Sequence, residues 1–162
     1  MNIFVLDKNP TRCAQYHCDK HAVKMILEGV QLLCGAHWSL GSEAPYKLSH
    51  KNHPCSIWAR ECLENYIWLC DLTMELCKEY TYRYGKTHKS QEILEWCMTN
   101  IPNLNEKGQI TPFALAMPDE YKVECPVESY RNYYMGAKDN LASWKNREKP
   151  FWFEKKRIRF AV

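Results

Sequence analysis

The segment HCDKHAVKMILEGVQ, residues 17–31, limits what this chain can fold into more than any other stretch does. A helical wheel at about 100° per residue places its histidines and charges in one narrow stripe, while nearly every other position is apolar. A surface helix has a broad polar face, so a helix with only a narrow polar seam is predicted to be buried on most sides. We call the stripe the seam, and its members are Cys13, His17, His21, Lys24, Glu28 and Gln31.

The seam has two interpretations, because titratable groups inside a protein cost free energy unless they are paired or face a cleft. One is a solvated edge that carries an i,i+4 ion pair between Lys24 and Glu28. The other is a functional cleft, in which a buried glutamate beside histidine and lysine moves protons near neutral pH. A desolvated lysine also serves as an amine nucleophile. We favour the cleft, and the predicted catalytic residues are Glu28, His21, His17 and Lys24.

A metal site is an alternative use of the same side chains. Cys13, His17 and His21 have the i,i+4 spacing of ligands on one helix face, and the segment SHKNHPC, residues 49–55, would supply further ligands. No second ligand pair with a recognised spacing occurs in the sequence. We therefore predict no cofactor and keep a metal-assisted reaction as the alternative.

The composition predicts one compact domain over residues 1–162, since 46% of the residues are hydrophobic. No run of 18 apolar residues occurs, so no membrane span is expected. The start, MNIFVLDKNPT, does not resemble a signal peptide, and we expect a cytoplasmic protein. The nine cysteines contain no CxxC pair and are predicted to be buried, reduced thiols. The oligomeric state stays open.

The predicted fold class is mainly α, a single compact helical domain with long aromatic-rich loops. Residues 2–6, NIFVL, are predicted to form a short strand or a buried extended lead. Asn65 lies within an apolar stripe and is expected either to brace a loop or to face the site. Helices are predicted over Thr11–Gly35, Pro54–Gly85, residues 87–100 and residues 127–148.

Basic and aromatic residues alternate in two segments, which suits phosphate contacts combined with base stacking. Residues 138–162 carry eight Lys and Arg against three Asp and Glu, although a basic helix end at the surface is the alternative. In YTYRYGKTHK, residues 80–89, the positive charges would equally oppose a helix dipole. The turn HKNHP precedes a helix N-terminus, where anions bind. The predicted contacts to DNA or a nucleotide are Asn52, His53, Tyr82, Arg83, Lys86, His88, Arg131, Arg147 and Trp152.

These motifs carry two resemblances. Most of the chain resembles a group of small phage-encoded proteins, through HCDKHAVKMILE, HKNHP, ENYIWL, YTYRYGKTH, FALAMPDEY and YRNYY. The chain also resembles the phage pyrimidine-dimer DNA glycosylases of the endonuclease V type. Their first helix carries D-x-H followed seven residues later by glutamate, which Asp19, His21 and Glu28 match. The segment 52–54 matches their NHP, and REKPFWF loosely matches a C-terminal aromatic tail.

The second resemblance implies a compact helical enzyme that removes damaged pyrimidines and nicks the strand through an imine and β-elimination. It implies that Glu28 is the key catalytic side chain. The nucleophile in that family is an N-terminal α-amine exposed after removal of methionine. Here Asn2 is large enough to keep Met1, and about five more residues precede the helix. Lys24 or Lys20 is therefore expected to supply the amine, unless the enzyme lacks lyase activity.

The predicted function is a phage-type, base-excising DNA glycosylase that acts in the host cytoplasm. Two alternatives stay open from the residues themselves. One is an enzyme that processes nucleotides or modified bases, with or without a metal. The other is a non-catalytic phage protein that binds a nucleic acid or a host factor.

Overall fold

Helices form all the regular structure in the part of the chain that the computed structural model describes, residues 1–137 and 139–154. The predicted class, a single compact helical domain, is confirmed. None of the described helices is long and apolar enough to cross a membrane. The helices are α1 (Pro10–Tyr16), α2 (Asp19–Ser39), α3 (Pro54–Glu61), α4 (Leu63–Tyr84), α5 (Gln91–Thr99) and α6 (Pro126–Ala137), with 3₁₀ turns at Asp119–Tyr121 and Asp139–Leu141.

Residues 1–6 form an irregular segment, buried at positions 3–6, that we call the lead. It has no strand partner among the described residues, and its side chains at positions 3–6 are at most 5% exposed. Phe4 stacks on His21 of α2, with the ring centroids 4.4 Å apart. Arg131 of α6 donates from Nε to the carbonyl oxygen of Leu6 at 2.9 Å. The lead therefore runs between the second and last helices, which fixes the first residue of the chain.

The helix predicted over Thr11–Gly35 is in fact two helices. His17 is the C-cap of α1 and Cys18 is the N-cap of α2, and both residues have an extended backbone. Arg83 donates to the carbonyl oxygen of His17 at 2.8 Å and to that of Gln15 at 3.0 Å. These bonds from α4 satisfy carbonyl groups at the end of α1. The seam is consequently not one continuous stripe, because its members on α1 do not extend the face of α2.

The helix predicted over Pro54–Gly85 is also interrupted, at Cys62, whose backbone is extended. The amide of Leu63 donates to the carbonyl of Asn105 at 2.8 Å. Asn65 is fully buried and donates to Thr111 Oγ1 at 2.7 Å, while its Oδ1 accepts from the Thr111 amide at 3.0 Å. Asn65 therefore braces the loop that contains Thr111, which is one of its two predicted roles. The predicted end of the helix at Gly85 is confirmed by its left-handed φ of 68°.

The last helix ends at Ala137, earlier than predicted, and the chain then turns back over α1 and α2. Trp144 donates from its indole to the carbonyl of Tyr16 at 2.9 Å, and the amide of Lys145 donates to Asp19 at 2.8 Å. Much of the predicted basic tail, residues 155–162, lies outside the described residues. The nine cysteines are free thiols, and all except Cys125 are buried, as predicted.

Helix α2 packs chiefly against α4, and a glycine sets how closely they approach. A Cβ atom at Gly29 would lie 2.5 Å from Oγ1 of Thr73 on α4. Asn2, Ile3 and Phe4 of the lead line a small cavity together with Gly29 and Thr73, so the lead lies beside this crossing. Glu28, the residue before Gly29, lies beside Met1, the first residue of the chain.

Candidate active site

A cavity of about 390 Å³ opens beside the first half of α2. Its walls come from the lead, α2, the turn before α3, the loop at residues 115–117 and α6. The polar and ionisable groups that line it include those of Met1, His21, Lys24, Glu28, His53 and Tyr133.

The closest charged pair in this cavity joins the first residue to the seam. The α-amine nitrogen of Met1 lies 3.2 Å from Glu28 Oε1, and the two side chains are only 3% and 10% exposed. Among residues 1–137 and 139–154, no group forms a hydrogen bond with Glu28 Oε2. The ammonium of Lys24 lies 3.9 Å from Oε2, on a side chain that is 71% exposed. The ion pair between Lys24 and Glu28 is therefore present, but the nearer amine is that of Met1.

Asn2 holds the α-amine in this position. Its Nδ2 donates to the carbonyl of Ala116 at 2.8 Å, and its Oδ1 accepts from the amide of Ile3 at 2.7 Å. The hydroxyl of Tyr130, which donates to the Ala114 carbonyl at 2.6 Å, lies 3.2 Å from the same Oδ1. These contacts fix the backbone of residue 2, so the amine before it has a defined direction.

The two predicted catalytic histidines are separated by the break between α1 and α2. His21 lines the cavity, stacks on Phe4 and pairs through Nδ1 with the hydroxyl of Tyr134 at 2.7 Å. His17 is fully buried outside the cavity, and its Nδ1 donates to the carbonyl of Cys13 at 2.6 Å. Burial lowers the pKa of His17 to about 4. The structure thus brings His21, Lys24 and Glu28 together and leaves His17 in the core.

His53 lies in the wall of the cavity and caps α3. Its Nδ1 accepts a hydrogen bond from the amide of Cys55 at 3.1 Å. Partial burial lowers the pKa of His53, and the positive charges of the N-terminal amine and of His50 lower it further. Asn52, beside it in the turn, is exposed.

Arg83 and Arg147 form a cluster around one buried carboxylate. Arg83 is 2% exposed, and its guanidinium contacts Glu79 at 3.0 Å and Asp19 at 3.1 Å. Arg147 contacts Glu79 at 2.6 Å and stacks over the ring of Tyr82 at 4.1 Å. The three nitrogens of the Arg83 guanidinium thus all donate to groups of the protein, and its contact with phosphate stays a prediction.

The other predicted contacts lie outside the cavity. Lys86 is exposed after α4, and His88 packs its ring edge-on against Tyr80 at 5.0 Å. The guanidinium of Arg131 lies 5.2 Å from the ring of Trp152 and 5.7 Å from that of Phe151, beside a second cavity of about 180 Å³. The structure therefore brings Arg131 and Trp152 together.

The side chains considered as metal ligands do not converge. Among residues 1–137 and 139–154, no three His, Cys, Asp or Glu side chains form a group that could hold a metal ion. Cys13 donates its thiol to the carbonyl of Phe4 at 3.2 Å, in the core with His17. The metal-assisted alternative consequently has no ligand set in this part of the chain.

The fold and the cavity define a small helical protein with an amine and a carboxylate paired in a cleft, an arrangement that supports covalent catalysis through an imine. A family model described as pyrimidine dimer DNA glycosylase matches residues 1–92, which is more than half of the chain. The chain belongs to this family. No curated protein and no solved structure matches it. The matched residues include the lead, α2 and α3, and therefore Met1, Glu28 and His53.

Proposed function

We propose that this protein is a DNA glycosylase that removes damaged pyrimidines and then nicks the strand. The α-amine of Met1 is the nucleophile, and Glu28 carries the protons. The observation that supports this proposal is the 3.2 Å separation between the amine nitrogen and Glu28 Oε1 in a cavity. The family supports a damaged pyrimidine in DNA as the substrate.

An α-amine suits this reaction better than a lysine does. The α-amine of Met1 lies 3.2 Å from the carboxylate of Glu28 inside the cavity, whereas the ammonium of Lys24 lies 3.9 Å from it. Lys24 is 71% exposed at the rim of the cavity. We assign Lys24 and the exposed Asn52 to contacts with the DNA backbone, where a mobile cation or amide is sufficient.

Base removal uses the pair directly. The lone pair of the α-amine forms a bond to C1′ of the sugar, and the bond from C1′ to the pyrimidine nitrogen breaks with its electron pair leaving on the base. Glu28 accepts the proton that the attacking nitrogen loses. The same carboxyl group then protonates the ring oxygen O4′ as the sugar opens, which leaves an imine between Met1 and C1′.

Strand cleavage uses Glu28 a second time. Its carboxylate removes a proton from C2′, the double bond between C2′ and C3′ forms, and the bond from C3′ to the phosphate oxygen breaks. Hydrolysis of the imine releases the sugar and restores the amine. Within the part of the chain that the structure describes, Oε2 of Glu28 accepts no hydrogen bond, which supports its use as an acceptor in these transfers.

The test is reduction of the imine by borohydride on duplex DNA that contains an abasic site or has been irradiated with ultraviolet light. We expect a covalent adduct whose peptide map places the linkage on Met1. A linkage on Lys20 or Lys24 would overturn the role of Met1. Absence of any adduct, base release or nick on both substrates would overturn the proposed function.

A further inference from the structure

We propose that His53 is a catalytic residue that donates a hydrogen bond from Nε2 to the departing pyrimidine during base removal. This inference rests on the proposed function and adds a third group to it. The supporting observations are the place of His53 in the cavity wall and the fixed state of its ring.

The position of His53 is set by its role as the N-cap of α3. Its backbone is extended, Pro54 occupies the first helical position, and its carbonyl accepts from the amide of Ile57 at 3.0 Å. Its own amide donates to the carbonyl of His50 at 3.0 Å. The side chain is held at a third point, where Nδ1 accepts from the amide of Cys55 at 3.1 Å. The ring therefore has little freedom to turn.

The bond to Cys55 also decides which nitrogen carries the proton. Because Nδ1 accepts from a backbone N–H group, a neutral ring has its hydrogen on Nε2. A positive ring is disfavoured, since partial burial and the nearby N-terminal amine lower the pKa of His53. The N-terminal end of α3 acts in the same direction, because its dipole repels positive charge. His53 is consequently a neutral donor with a defined tautomer.

A neutral donor fits the leaving base better than it fits a phosphate. A phosphate contact favours a cation such as Lys24, whose side chain is 71% exposed. The departing pyrimidine instead gains negative charge on its ring nitrogen and on the carbonyl oxygen O2 beside the broken bond. A neutral imidazole held at a helix N-terminus stabilises such charge by donating a hydrogen bond without losing its proton. The base then takes a proton from water.

Glu28 does not duplicate this role in the same step. Its Oε1 is paired with the α-amine, and the carboxylate must accept a proton while the base departs. Carboxylate and imidazole therefore act on opposite sides of C1′. The carboxylate takes a proton from the attacking nitrogen, and the imidazole donates a hydrogen bond to the leaving base. The division predicts that base removal depends on His53, whereas reaction with an abasic site does not.

The test compares two DNA substrates with the variant His53→Ser. Serine keeps an oxygen that caps α3 but has no group that reaches into the cavity. We expect base release from irradiated duplex DNA to fall by about 10²-fold or more, as when one donor to a developing anion is removed. Borohydride trapping on abasic DNA, where the base is already absent, is expected to stay within about threefold of wild type on the same reasoning.

His88 offers a reference for the cost of losing the ring's hydrogen bond, because its Nδ1 also accepts from the amide two residues later, that of Ser90 at 3.0 Å, just before α5. Thermal unfolding of His88→Ser measures that cost at the start of α5. Unchanged base release in His53→Ser would overturn the inference, and so would equal loss on both substrates. If wild type itself forms no adduct on abasic DNA, the proposed function fails instead, so the two failures are distinguishable.

Discussion

The α-amine nitrogen of Met1 and the carboxylate oxygen Oε1 of Glu28 are 3.2 Å apart, and the side chains of the two residues are 3% and 10% exposed. In the proposed mechanism these two groups are the nucleophile and the base, and this distance allows proton transfer between them when a sugar carbon enters the cavity. A buried charge without a partner is costly, so each group also requires the other.

Replacing Glu28 by glutamine is expected to abolish turnover. The amide keeps the shape of the side chain but accepts no proton, and loss of a general base typically costs about 10²–10⁴-fold in rate. Base release and trapped adduct on irradiated DNA measure the effect, while circular dichroism and DNA binding check the fold. Glu92→Gln, the same substitution at an exposed carboxylate of α5 outside the cavity, is the control and is expected to retain adduct formation. A fully active Glu28→Gln protein would contradict the assignment.

Extending the chain at its N-terminus is expected to remove adduct formation. One added residue before Met1 converts the amine into an amide, which is not nucleophilic, and displaces it from Glu28. The measurement is borohydride trapping on abasic DNA by a protein that carries Gly-Ser directly before Met1. The same extension after residue 162 is the control and is expected to leave trapping unchanged. Equal trapping by the two proteins would show that a lysine forms the imine.

Replacing Arg83 by methionine is expected to lower the free energy of unfolding by about 3–5 kcal/mol, because it leaves buried carboxylates without their partner. The affected groups are Glu79 and Asp19. Urea titration measures the loss. Lys86→Met, at an exposed position, is expected to change stability by less than about 0.5 kcal/mol. If Arg83 instead bound phosphate, its loss would flatten the dependence of DNA affinity on salt while leaving stability intact.

The stability of the protein is expected to fall as the pH drops from 6.5 to 4. Burial lowers the pKa of His17 from 6.5 to about 4, so in this window the unfolded chain binds a proton that the folded chain does not. The stabilisation is complete above pH 6.5, and its loss by pH 4 amounts to about 3 kcal/mol. Urea titrations across this range measure it. His17→Gln is expected to reduce the slope, whereas His50→Gln, at an exposed ring, retains it.

Periodicity predicted the helical class because a 3.6-residue repeat is a local property of the sequence. It did not predict the breaks at His17 and Cys62, where bonds from distant residues replace those of a continuous helix. Arg83 supplies those bonds at the first break, and Asn105 at the second. The alternation of basic and aromatic residues around Arg83 was equally compatible with a buried cluster, so the sequence pattern alone did not separate the two uses.

The candidate site was predictable only in part, for a related reason. Glu28 and His21 share a face of α2, so the seam identified them together. Met1 has no periodic signal, because its place depends on Asn2 and on partners 114 and 128 residues away. The family resemblance pointed to an N-terminal amine, but the longer lead argued against it. The lead is in fact packed into the core at positions 3–6, and its first residue lies beside Glu28.

The contacts that hold Asn2 have a consequence for synthesis of the chain. The ribosome makes the first residues at the outset, yet Ala116 and Tyr130, which hold Asn2, emerge much later. A nascent or truncated polypeptide carries the reactive amine without the surroundings that aim it. Contacts of such long sequence separation form late in folding. We therefore expect the proposed strand-cleaving activity to arise only after most of the polypeptide has been translated and packed.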